Sequence, residues 1–309
     1  MVFTVTLNPA IDKTVVIPGF HPGKVNRIRS LRTDAGGKGI NVSKCLTNLS
    51  LETVAAGIFG GSAGDTLLAM LESMGISTLP VRTDGQTRTN LKIIDPEQQM
   101  NTDINEPGPT VSAQTLALLR DEIGSRIAPG DVVVLSGSLP NGAPGSLYRD
   151  WTLHFRQLGA LVFLDADGEA LAQGIQGIPW LVKPNDAELS RLMGRPLETR
   201  EELLAAGESL LAAGIREVVI SLGGEGAIFL SEEGKYLAKA LKVPVQSTVG
   251  AGDSMVAAMA YGHVKQLPRE AFIRLAVAMG AASCMCDGTQ APDGALVRKL
   301  AEQVEIMEV

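Results

Sequence analysis

Short, unbroken runs of aliphatic residues recur along this chain, separated by longer stretches with helical spacing, and this rhythm limits the fold more than any single motif. The runs are Phe3–Leu7, Val54–Phe59, Asp131–Ser136, Leu161–Asp165, Trp180–Lys183, Val218–Leu222 and Ala227–Leu230. Between them lie the amphipathic stretches Asn41–Leu49, Asp65–Met74, Ser112–Ile127, Ser146–Leu158, Asp186–Met193 and Thr199–Ala213. Runs without polar alternation suit strands buried on both faces, and alternation with helices predicts a mostly parallel sheet in an α/β fold. No linker or internal repeat divides the chain.

Two segments depart from this pattern. Residues 12–34 and 87–104 are more polar, with short alternating runs at Thr14–Ile17 and Asn90–Ile94. Period-2 alternation fits half-exposed antiparallel strands. They read either as a small β lid over a site on the parallel sheet or as two surface hairpins.

Composition excludes several classes. Thirty-four acidic against 27 basic residues among 309 give a net charge of −7, which opposes a nucleic-acid partner. No apolar run reaches the ~18–20 residues of a membrane span, so no membrane partner is expected. The N-terminus has no basic leader, and Cys45, Cys284 and Cys286 are too few for a disulfide framework, so a reducing, cytoplasmic setting is expected.

The sharpest local signal is Thr248-Val249-Gly250-Ala251-Gly252-Asp253, followed by the apolar stretch Val256–Gly262. Two glycines before a helix let backbone N–H groups converge into an anion hole, and Asp253 at the same turn can accept a proton from a hydroxyl. Phosphoryl transfer needs both parts. A capping aspartate after a glycine turn is the plain alternative. A second glycine-rich turn, Gly36-Gly37-Lys38-Gly39, leads into Asn41; its spacing is not that of a Walker A loop, and no dinucleotide fingerprint exists in the chain. From His21 to Lys44 six basic residues face one acid, Asp34, while Arg88 and Lys92 lie in the other polar segment. Such a patch could hold a phosphorylated sugar against the overall negative field, with Arg27, Lys38 and Arg88 the first candidates. Glu188, in Lys183-Pro184-Asn185-Asp186-Ala187-Glu188, is a candidate for holding hydrated Mg²⁺, or else an ordinary first-turn glutamate. The turn Ser221-Leu222-Gly223-Gly224-Glu225-Gly226 could pass under a nucleotide, and Ser138 follows a strand end, where ligands meet open α/β sheets.

In order along the chain, TLNPAID (6–12), GGKGIN (36–41), TRTNLK (87–92), SGSLP (136–140), KPNDAE (183–188), SLGGEG (221–226) and STVGAGDSM (247–255) resemble the ribokinase-like sugar kinases, specifically their phosphofructokinase-B branch. The resemblance implies a three-layer α/β/α fold with eight or nine mostly parallel strands, one kinase domain over 1–309, and a β lid from insertions at about 12–34 and 87–104 that pairs with its twin in a homodimer. It implies ATP with Mg²⁺ as donor and a ketohexose phosphate as acceptor. Fructose 1-phosphate comes first, with tagatose 6-phosphate or fructose 6-phosphate as alternatives; a non-catalytic sugar-phosphate-binding module is the reading from another class. Asp253 would be the general base, with Gly250, Ala251 and Gly252 as the anion hole. Asp12, Arg27, Gly37, Lys38, Asn41, Arg88, Asn90 and Ser138 would bind the phosphosugar. Lys183, Asn185, Ser221, Gly223, Gly224, Glu225, Gly226, Thr248 and Gly252 would face the nucleotide, with Glu188 near Mg²⁺. Asp165-Ala166-Asp167 departs from relatives, which often carry serines after the strand aspartate.

Overall fold

A computed structural model describes residues 1–309. Its strands are β1 (Val2–Thr6), β2 (Ala10–Val16), β3 (Ser30–Gly36), β4 (Thr53–Gly60), β5 (Ser77–Thr83), β6 (Arg88–Asp95), β7 (Met100–Asn105), β8 (Val132–Ser136), β9 (Leu161–Asp165), β10 (Leu181–Val182), β11 (Glu217–Ser221), β12 (Ala227–Ser231), β13 (Gly234–Ala238) and β14 (Ile306–Glu308). The helices are α1 (Lys38–Asn48), α2 (Gly61–Ser73), α3 (Ala113–Gly124), α4 (Leu147–Gln157), α5 (Gly168–Gly174), α6 (Asp186–Leu192), α7 (Arg200–Ala212), α8 (Ala251–Val264), α9 (Arg269–Cys284) and α10 (Gly294–Ala301).

The central sheet has ten strands in the order β14-β13-β12-β11-β10-β9-β8-β1-β4-β5. The seven from β11 to β5 are parallel, and β12, β13 and β14 extend one edge antiparallel. Ten strands exceed the eight or nine that the family resemblance implied. The apolar runs explain the layers directly, because alternate residues of one strand point to opposite faces. Phe3, Val5, Val133, Leu135, Val162 and Leu164 pack under α3, α4 and α7, through residues such as Leu119, Trp151 and Leu210. Val2, Val132, Val134 and Phe163 pack under α1, α8, α9 and α10. Each of these side chains gives about 1.5–3 kcal/mol on burial, which is why the strands tolerate no polar alternation.

Both polar segments form strands, and they combine. The antiparallel pairs β2–β3 and β6–β7 join through parallel pairing of β2 with β6, giving a second, four-stranded sheet. The two hairpins are therefore one layer. Ile11 and Ala35 anchor it to α1 and α2 beside Ile40, Leu67 and Leu71. No helix is long and apolar enough to cross a membrane.

Candidate active site

The chain leaves β1, builds half of the second sheet, returns through α1 to β4 and β5, and later crosses to β8 on the other side of β1. Such a reversal opens a crevice at the carboxyl ends of the strands. A cavity of about 380 Å³ lies there, under the second sheet. It gathers Asp12, Gly37, Lys38, Asn41, Arg88, Asn90, Lys183, Asn185, Glu188, Ser221, Gly250, Gly252 and Asp253, which span 242 positions of the sequence.

Asp253 sits in the first turn of α8, 5 % exposed. Gly250, at φ 83°, makes the left-handed bend that starts the helix. The N–H of Ala251 turns back to Thr248 O at 3.4 Å, whereas those of Gly252 and Asp253 have no backbone acceptor. Asn41 Nδ2 donates to Asp253 Oδ2 at 2.8 Å. Burial, and then the negative charge of Asp165, push the Asp253 carboxyl up to about 6; Lys38, the Asn41 hydrogen bond and Lys183 resist this. A carboxylate near neutrality is suited to accept a proton and release it again.

Asp165, at the end of β9, stands between two ammonium groups. Lys38 Nζ is 3.4 Å from its Oδ2 and Lys183 Nζ is 3.4 Å from its Oδ1. Burial alone would raise this carboxyl, but Lys183 and Lys38 hold it below its ordinary value. Lys38 is drawn down by burial yet held above its usual value by Asp165, Asp253 and Glu188. The ammonium groups of the two lysines, on either side of Asp165, can take up phosphoryl oxygens.

At the other end, register sets the contacts. Asp12 on β2 lies opposite Asn90 on β6, and Asn90 Nδ2 donates to Asp12 Oδ1 at 2.9 Å. Burial raises the Asp12 carboxyl. A Cβ on Gly36 would fall 2.2 Å from Asp12 Oδ2, so only glycine leaves room for that carboxylate. Arg88 is held by main-chain oxygens: Nη2 to Asn8 O at 3.0 Å and Nη1 to Glu106 O at 3.2 Å. Glu188 completes a capping box on α6, its Oε2 accepting from Asn185 N at 2.9 Å. The first-turn role and the cavity-facing position thus coexist in one residue. Its second oxygen suits hydrated Mg²⁺, which takes one or two carboxylates plus phosphate oxygens and water.

Not every candidate lines the cavity. Arg27 and Ser138 are exposed and stand outside its wall, as does Thr248. Ser138 follows Gly137, which lies against the Lys38 side chain. Ala251 and the turn Gly223–Glu225 with Gly226 are outside the wall too, although Ser221, where that turn begins, bridges to Asn185. Conversely, Asp165, Val249 and Thr289 line the cavity without a role assigned from the sequence. Asp165 was legible as a polar residue ending an apolar run; Thr289, in a loop after α9, belongs to Gly288-Thr289-Gln290, a short run that resembles the same family but points to no role.

Residues 5–295 match the model of the pfkB family carbohydrate kinases, and the chain belongs to that family. Its fold and site define an ATP-using sugar kinase. Among its relatives, 1-phosphofructokinase of Xanthomonas campestris is 41 % identical over 83 % of this chain and 82 % of its own. 1-Phosphofructokinase of Haemophilus influenzae is 36 % identical over 99 % of this chain and 97 % of its own. The crystal structure of phosphofructokinase-2 from Escherichia coli in complex with substrates and products superposes with a TM-score of 0.93, at 29 % identity over 98 % of both chains.

Proposed function

We propose that this chain transfers the γ-phosphoryl group of ATP to the 6-hydroxyl of fructose 1-phosphate, giving fructose 1,6-bisphosphate and ADP. The observation that carries the reading is Asp253: buried, raised toward neutrality, oriented by Asn41, and adjacent to main-chain N–H groups without acceptors. Asp253 takes the proton of the attacking hydroxyl as its oxygen bonds to the γ-phosphorus and the bridge to the β-phosphate breaks. The free N–H groups of the α8 turn, with Lys38 and Lys183, stabilise the charge spread over the transferring oxygens. Asp12 and Asn90 orient the sugar hydroxyls, and Arg88, at the end away from Asp253, takes its phosphate. Lys183, Asn185 and Ser221 face the nucleotide. Glu188 would hold hydrated Mg²⁺, which neutralises charge on the triphosphate.

The names of the 1-phosphofructokinase relatives support fructose 1-phosphate over other acceptors. A second reading follows from the Escherichia coli phosphofructokinase-2 complexed with fructose-6-phosphate, which this fold matches with a TM-score of 0.92. The two ends of a ketohexose furanose are related by an approximate two-fold axis, so one clamp could accept either orientation. Discrimination then rests on hydrogen bonds worth ~1–3 kcal/mol when left unpaired. A coupled ADP-release assay with fructose 1-phosphate, fructose 6-phosphate, tagatose 6-phosphate, ribose and adenosine tests this. The highest kcat/KM is expected with fructose 1-phosphate; a higher value with either 6-phosphate selects the second reading, and activity on ribose or adenosine alone rejects both. We also propose that the second sheet acts as a lid and pairs with its copy in a dimer, and that the three free cysteines serve in a reducing cytoplasm.

A further inference from the structure

Asn41, Lys44 and Asn48 lie one turn apart on a single face of α1. Asn41 holds Asp253, and Asn48 Nδ2 donates to Ala291 O at 3.1 Å and Pro292 O at 3.2 Å. Between them Lys44 is 7 % exposed. Its Nζ donates to Ala35 O at 2.8 Å, to Thr289 O at 2.7 Å and to Thr289 Oγ1 at 3.3 Å. All three acceptors are neutral. Withdrawing an ammonium from water without a direct counter-ion is costly, and its three hydrogen bonds offset that cost. Stability accounts for the bonds but not for the choice of the two segments they join.

What its partners touch supplies the reason. Ala35 precedes Gly36, the residue packed against the Asp12 carboxylate at the sugar end of the cavity. Thr289 lines the cavity, and its Cγ2 stands 3.9 Å from where a Cβ on Gly250 would be, at the catalytic turn. An outer tie holds the same loop: Arg32 on β3 pairs with Asp34 at 2.7 Å and Asp287 at 3.6 Å, and its guanidinium lies against Gly288.

We propose that Lys44 is a positioning residue that ties strand β3, which shapes the sugar end, to the loop covering the α8 turn, and so keeps the acceptor hydroxyl in line with Asp253. The inference rests on the kinase reading above. Lys44 touches neither substrate; it acts through Ala35 and Thr289. Because a misplacement of ~1 Å between reacting groups costs on the order of 10²-fold in rate, loosening this tie should lower kcat more than it weakens either substrate.

The test compares Lys44→Met, Lys44→Arg and Arg32→Ala with the wild type, measuring kcat, KM for each substrate and Tm. The acceptor is whichever sugar phosphate the wild type turns over best, so an error in substrate assignment shows in the wild type, before any variant is compared. Lys44→Met is expected to lose ~10-fold or more in kcat with each KM changed less than ~3-fold, and Lys44→Arg to recover much of that loss. Arg32→Ala, at a half-buried position, is expected to lose several-fold in kcat. Wild-type kcat in a folded Lys44→Met, whatever its Tm, would overturn the proposal. Should Lys44→Met fail to fold, wild-type kcat in Arg32→Ala alone overturns it.

Discussion

Asp253 illustrates how a single side chain acquires its chemistry from its surroundings. An exposed aspartate loses its proton near 3.8; burial and the neighbouring charge of Asp165 bring this one to about 6. The sign of the pH effect follows from its role. A base must be unprotonated to act, so kcat/KM is expected to be flat well above pH 6 and to fall up to tenfold per unit as pH drops below it. A profile that rises toward acid, or stays level down to pH 5, would remove Asp253 from this role. The residue types that mark this chemistry were legible in the sequence, because the two glycine turns, the aspartate and the asparagine occur with an apolar helix and further motifs in order, which a lone capping aspartate does not explain. The pairing of Asn41 with Asp253, across 212 positions, was not: it depends on the tertiary placement of α1 against α8. The same holds for Asp165, whose significance lies in two lysines that fold to its sides.

At the scale of elements, helix starts do most of the positioning. The α1 helix begins at Lys38 because Gly37, at φ 118°, turns the chain sharply out of β3. A Cβ there would meet Thr6 Cγ2 at 2.6 Å, besides the backbone strain. Gly37→Ala is accordingly expected to destabilise the protein by ~1–3 kcal/mol, read as a lowered Tm in thermal unfolding. An unchanged Tm would show that the turn relaxes at no cost. The continuous apolar strands were legible from sequence, but β5 was not, since Pro80 interrupts its run; at a sheet edge the missing N–H is tolerated. Helix α9 escaped notice for a different reason. It packs against both α8 and α10, so apolar residues occur nearly all round and no amphipathic period marks it. The short strands β13 and β14 lack any patterned run long enough to read.

For the molecule as a whole, the four-stranded sheet and its β2–β3 connection leave apolar side chains in water. Val25 is 86 % exposed, Leu31 57 %, Ile28 55 % and Ile104 52 %. A second copy of the same sheet would cover such a patch by a two-fold contact. Light scattering coupled to size-exclusion chromatography is expected to give twice the 32.5 kDa chain mass, and Leu31→Glu is expected to shift it toward the monomer. A monomeric wild type at micromolar concentration would rule out the lid-to-lid dimer. Arg27, exposed in the connection between β2 and β3, stands outside the wall of its own cavity and on the side such a contact would cover.

Replacing Asp253 by Asn, which keeps size and hydrogen-bonding reach but removes proton acceptance, tests the central claim most directly. Calorimetric titration with fructose 1-phosphate and turnover with ATP should be measured on the same sample. Sugar-phosphate affinity is expected within a few-fold of wild type, with kcat lowered by ~10²-fold or more. Turnover close to wild type in a variant that still binds the sugar would contradict the claim.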